Sequence, residues 1–236
     1  MIEWFNSFDE VLWLKDDETG EADAPFILSA LALRPGDRVL DASCGAGRIS
    51  VPLAQAGCRV TGVDLKPEHI TRAKQRFAAE RLTGEFTVCD LRRLDYDGVF
   101  DAAVNWGGSF GYFSDEVNAD VLCRLARALK PGGLLLIDQP NREYVLRNFR
   151  SWLAGEDLTV RNNWHAATQR VEATWIIHDP AGERRSFSSV RLYTPGQFRR
   201  LFARAGLAWQ TAYGDQDGSP VNRLSHRIYV VARKVS

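Results

Sequence analysis

"VLDASCGAGRIS", residues 39–50, is the stretch that decides the fold. An apolar start delivers one aspartate, Asp41, into a glycine-rich turn, Gly45-Ala46-Gly47, and a helical pattern follows. A strand, a glycine turn and a helix in that order mark the ligand side of a parallel α/β sheet, beyond the carboxyl ends of its strands. Glycine allows the backbone to approach a ligand closely. The dinucleotide fingerprint asks for a third glycine three residues on, and Ser50 stands there instead.

Working outward, apolar β-rich runs alternate with amphipathic ones, which predicts βαβ units and a parallel sheet. Strands are expected at 38–42, 58–64, 85–90, 99–105 and 134–139. Helices are expected at 47–57, 66–82 and 115–133, the last stopped by Pro131-Gly132-Gly133. After about residue 156 the runs "DLTVRNNW", "QRVEATWIIHD" and "RRSFSSVRLYT" alternate polar and apolar residues. They predict a small antiparallel insertion or cap over 156–193 with one wet face. A capped helix (194–206) and two further strands close the chain. One domain over 1–236 accommodates all of this. The segment "WFNSFDEVLWL" (4–14) is amphipathic and aromatic: within 1–24 it either forms a lid helix or packs on the sheet.

Asp41 lies four residues before the first glycine. It would repel a pyrophosphate, whereas it favours a ligand carrying ammonium and sulfonium charge. The turn therefore suits S-adenosylmethionine better than NAD. Asp64 ends the second strand, where a carboxylate can accept ribose hydroxyls, and Asp90 ends the third, within reach of an adenine amino group. For each acid alone, a helix N-cap or a solvated loop residue is the alternative. All three in register converge on one crevice.

With these residues in view, the chain resembles the class I S-adenosylmethionine-dependent methyltransferases. "VLDASCGAGRIS" is similar to that family's first motif, "VTGVDLKPEHITRAK" to its second-strand segment and "ALKPGGLLLID" to its fifth-strand entry. The resemblance implies an α/β, Rossmann-like doubly wound sheet of order 3-2-1-4-5-7-6 with the last strand antiparallel. Ser43 departs from the glycine common at its position. The cofactor contacts it implies are Asp41, Gly45, Ala46, Gly47, Arg48, Asp64, Leu65, Asp90, Leu91 and Asn105. For Arg48 a solvated first-turn residue remains the alternative.

The acceptor side is expected beyond the fourth and fifth strands, under the insertion. Candidates there are Trp106, Ser109, Phe110, Asn141, Arg142, Tyr144 and Trp164, with Tyr112 to orient the acceptor and His165 as general base. An unperturbed imidazole suits proton removal; a structural histidine is the alternative, as is a core aromatic for Tyr112. Trp152 and Trp209 read as core. Asp215 and Asp217 in "GDQDGSP" either touch a cationic acceptor or form a solvated turn. The expected activity is methyl transfer to N or O of a small, flat or aromatic metabolite. An NAD(P)-linked oxidoreductase and a non-catalytic cofactor-binding protein are the alternatives.

Thirty basic and thirty acidic residues give zero net charge, which weighs against a nucleic-acid partner. No apolar run reaches the roughly 18 residues of a membrane span, so no membrane partner is expected. No His/Cys spacing suggests a metal site, and no leader is recognised. A cytoplasmic protein is the expectation, and by analogy with acceptor-capped relatives a homodimer.

Overall fold

The computed structural model describes residues 4–8, 20–180 and 182–235. Trp4–Asn6 form a short 3-10 turn. α1 is Gly20–Ala30, β1 Arg38–Ala42, α2 Ser50–Gln55, β2 Arg59–Asp64, α3 Pro67–Ala79, β3 Gly84–Val88 and β4 Phe100–Asn105. α4 (Asp115–Ala128), β5 (Leu129–Pro140) and α5 (Arg142–Arg147) follow. Four strands come next: β6 Trp152–Ala154, β7 Leu158–His165, β8 Arg170–Asp179 and β9 Gly182–Arg191. α6 (Pro195–Arg204), β10 (Leu207–Tyr213) and β11 (Arg227–Lys234) complete the chain.

The main sheet runs β3-β2-β1-β4-β5-β11-β10. β1 to β5 pair in parallel, and β11 is antiparallel to both of its neighbours. β10 and β11 are the sixth and seventh strands of this sheet, so the expected 3-2-1-4-5-7-6 order holds. A separate antiparallel sheet has the order β6-β7-β8-β9. Helices cover both faces of the main sheet. Phe198 and Phe202 of α6 join Leu122 and Leu125 of α4 on one face; Ile27, Leu53 and Phe77 of α1 to α3 fill the other.

Local chemistry sets the boundaries. Gly45 and Gly47 both adopt positive φ, so the turn persists and α2 starts at Ser50 rather than 47. α4 stops at Ala128 because Pro131 disfavours helical backbone at Lys130. Thr194 and Gln197 form a reciprocal capping box at α6. One core assignment is corrected. Trp152 sits on β6, the edge strand of the second sheet, and is 50% exposed with the Arg161 guanidinium 4.5 Å from its ring centre. Trp209 is half-buried against Phe202.

The chain leaves β1 towards β2 on one side and returns as β4 on the other. This is the switch point where such sheets bind ligands.

Candidate functional site

A cavity of about 540 Å³ opens above that switch point. Its floor is the glycine turn. Ser43 holds φ +71°, a left-handed conformation that favours glycine, which explains why glycine is common at this position in the family it resembles. Gly45 has φ +54° with open space where a Cβ would project. A side chain at Gly47 would press on Ala73 of α3 at 3.2 Å, so Gly47 serves helix packing and stays off the cavity wall.

The three acids do converge on this cavity. Asp41 is 1% exposed; its Oδ2 accepts from Ser50 Oγ at 2.5 Å while Oδ1 has no partner. Asp64 accepts from Gly45 N and Lys66 N, each at 2.9 Å, so the turn itself fixes its carboxylate. Asp90 caps the short turn that follows β3 and is gripped by Arg92 through both oxygens. Burial alone would raise the Asp90 carboxyl, but the hydrogen bonds and charge of Arg92 outweigh it and hold it below its ordinary value. Ala46, Leu65 and Leu91 line the same space.

Arg48 also lines it, paired with Asp23 of α1 at 2.5 Å. Asp23 additionally accepts from Trp106 Nε1 at 2.9 Å and Gln216 Nε2 at 2.6 Å. One buried carboxylate thus joins α1, the glycine turn, the loop after β4 and the loop before β11. Sequence reasoning missed Asp23, since its partners lie far apart in the chain. It also missed Asp138 at the end of β5. Asp138 accepts from Gly107 N at 2.9 Å and from Arg227 at 2.5 and 2.7 Å. Burial pushes its carboxyl up, against the pull of Arg227.

The opposite wall is aromatic. Trp106, Ser109 and Tyr112 of the loop "NWGGSFGYF" reach the cavity. Burial pushes the Tyr112 phenol up, so it stays protonated at neutral pH, with its hydroxyl engaged by Ser109. Trp4 packs on Tyr112 with ring centres 4.6 Å apart, and Phe8 meets Trp175 of β8 at 5.9 Å. The described N-terminal residues therefore cover the cavity. The lid helix expected within 1–24 falls largely on residues outside those described.

Several expected site residues lie elsewhere. Strand pleating puts alternate residues on opposite faces. Val171, Ala173 and Trp175 of β8 face the cavity. His165 pairs in register with Arg170, one position out of phase. It sits on the far face, bound to Glu172 at 2.7 Å and Asn163 at 2.9 Å, and is removed as a base for this cavity. Trp164 is half-buried on β7 off the cavity wall, where Asn162 is the lining residue. Phe110 is core, packed on Tyr193 and Phe198. Asn141 caps α5 and ties down the carbonyls of Asn222 and Ser225. Arg142 binds Gln169, and Tyr144 stacks on His226. Asn105, expected to turn its backbone carbonyl to the cofactor's ammonium, is buried and does not line the cavity; its side chain donates to the Ala42 carbonyl at 2.8 Å and joins β4 to β1. Asp215 and Asp217 accept from backbone amides of their own loop and are also off the wall.

Among the described residues no cluster of metal-ligand type exists, and no helix is long and apolar enough to cross a membrane.

Comparison with known proteins agrees with this geometry. Residues 39–133 match the methyltransferase-domain family. A putative methyltransferase of Bacillus subtilis, YqeM, is 32% identical over 145 residues, 60% of this chain and 58% of the relative. The chain spans 38% of a Mycobacterium bovis protein to which it is 38% identical, and 84% of a putative methyltransferase of Geobacillus to which it is 24% identical. In structure it is similar to the CcbJ methyltransferase of Streptomyces caelestis. The TM-score is 0.80 at 19% identity, over 92% of this chain and 90% of that one. It is also similar to CalS10, an amino pentose methyltransferase of Micromonospora echinaspora solved with S-adenosylmethionine bound. There the TM-score is 0.67 at 22% identity, over 94% and 92% of the two chains. Residues 39–133 thus match the methyltransferase-domain family, and the chain built around them has the fold of the class I S-adenosylmethionine-dependent methyltransferases.

Proposed function

We propose that the protein transfers a methyl group from S-adenosylmethionine to an N or O atom of a small, flat or aromatic acceptor. One observation carries the reading: a single cavity has three strand-end carboxylates on one side and an aromatic wall on the other. The similarity to an amino pentose methyltransferase supports a small acceptor.

The residues present fit the cofactor. Asp41 offers a buried, unpartnered oxygen to its cationic methionine end. Gly45 and Ala46 leave room for backbone approach, and Arg48 stands beside them for the carboxylate. Asp64 with Leu65 would flank the ribose, and Asp90 with Leu91 the adenine. When bound, S-adenosylmethionine supplies a methyl group already activated on sulfur for in-line displacement. The chain then has to align and to exclude water. Alignment in near-attack geometry is worth roughly 7–11 kcal/mol. Trp106, Tyr112 and Trp175 form the dry wall, and Tyr112 orients the acceptor through a hydroxyl that keeps its proton.

Incubating the protein with methyl-labelled cofactor and a panel of aromatic amines, phenols and amino sugars tests this. Label in an organic product supports it; tight cofactor binding with no acceptor labelled favours a non-catalytic cofactor-binding protein. Replacing Asp64 should act on binding directly. Asp64→Ala removes the ribose acceptor and frees two amides, and is expected to weaken S-adenosylhomocysteine binding at least about tenfold by calorimetry. Unchanged affinity would remove Asp64 from the ribose site.

A further inference from the structure

The same cavity holds a residue to which the motifs assign nothing. His69 is the third residue of α3, one turn after Asp64, and is 5% exposed while lining the cavity. Neither of its ring nitrogens has a hydrogen-bond partner. Among the described residues the other buried side chains with an unpartnered polar atom are Asp41 and Asn105, each lacking a partner at one oxygen. His69 lacks both.

Its neighbours do not relieve this. Asp64 Oδ1 is the near acceptor, but it lies 3.4 Å from His69 Nδ1 and already accepts from Lys66 N. Leaving a buried donor or acceptor unsatisfied carries a free-energy cost. An apolar side chain of similar size would fill the position without that cost. A group that enters the cavity and satisfies the ring explains why an imidazole is kept. Asp64 and His69 stand side by side, a carboxylate acceptor next to a ring that both donates and accepts. A vicinal diol presents two adjacent hydroxyls, each a donor and an acceptor, and complements that pair.

We propose that His69 is a second ribose-contacting residue. It hydrogen-bonds one of the two hydroxyls of the nucleoside whose diol Asp64 receives. This rests on the reading of the cavity as a cofactor site.

The test is calorimetric binding of S-adenosylhomocysteine and of its 2′-deoxy and 3′-deoxy ribosyl analogues to wild type, His69→Leu and His69→Gln. His69→Leu should bind S-adenosylhomocysteine about tenfold more weakly, and His69→Gln, which keeps a donor and an acceptor, within about threefold of wild type. The penalty for removing one of the two hydroxyls should shrink at least about threefold in His69→Leu, because its partner has already gone. The inference is overturned if His69→Leu binds as wild type does. It is equally overturned if Leu and Gln weaken binding alike, since the ring would then be only a filler. Wild type that binds no S-adenosylhomocysteine would instead remove the functional reading on which the inference stands.

Discussion

Arg170→Met is expected to destabilise the protein by about 3–5 kcal/mol. Arg170, on β8, is buried and donates to the carbonyls of Gly111, Tyr112, Phe113 and Ser189 and to Ser189 Oγ, at 2.7–3.2 Å. Those three loop carbonyls belong to "NWGGSFGYF", which has too many glycines to hold its own shape. Gly111 has φ +99°, and a Cβ there would meet the Arg191 carbonyl at 2.4 Å, so the loop lies directly on β9. The guanidinium is the strap that lets this loop present Tyr112 to the cavity. Methionine keeps the stem and removes every donor, stranding buried carbonyls. Arg170→Lys keeps the charge but not the planar fork and should recover only part of the loss. Urea denaturation measures both. A loss under about 1 kcal/mol for Arg170→Met would show that the strap is dispensable.

The second large effect is a pH dependence at Asp41. Burial pushes its carboxyl up from 3.8 to about 7; the Ser50 hydrogen bond opposes this, the Asp64 charge adds to it and Arg48 opposes it. Between those two values the folded protein binds the Asp41 proton and the unfolded chain does not. Stability from this group is therefore fully present below about pH 4 and is lost as pH rises to about 7. The total is on the order of 4 kcal/mol. Asp41→Asn resembles the protonated acid at every pH. Its stability should match wild type below about pH 4 and exceed it by a margin that grows up to about pH 7 and then levels off, in urea denaturation without ligand. Parallel profiles for the two proteins would contradict the assignment. The cost has a purpose in the proposed function, since a cationic ligand favours the ionised carboxylate that burial disfavours.

The main sheet and the convergence of Asp41, Asp64 and Asp90 on one cavity were legible because they are local. Asp41, Asp64 and Asp90 each end a strand that its own apolar run announces, and parallel register brings those ends together. The acceptor half was less legible because it depends on pleat phase and on long-range pairing. His165 and Asn162 are both polar residues of β7, and only the register with β8 decides which of them faces the cavity. Asn141 and Arg142 follow β5 as expected, yet their side chains are spent on Asn222, Ser225 and Gln169. Asp23 and Asp138, which hold the walls, carry no motif; their partners Gln216 and Arg227 are 193 and 89 residues away. Ser50 was the informative exception. Read as a missing glycine, it is the residue whose hydroxyl holds Asp41.

Equilibrium binding of S-adenosylhomocysteine and NADH to the wild-type protein tests the central claim most directly. Nanomolar-to-micromolar binding of S-adenosylhomocysteine, with no heat from NADH, is the predicted result. Binding of NADH without S-adenosylhomocysteine would contradict it.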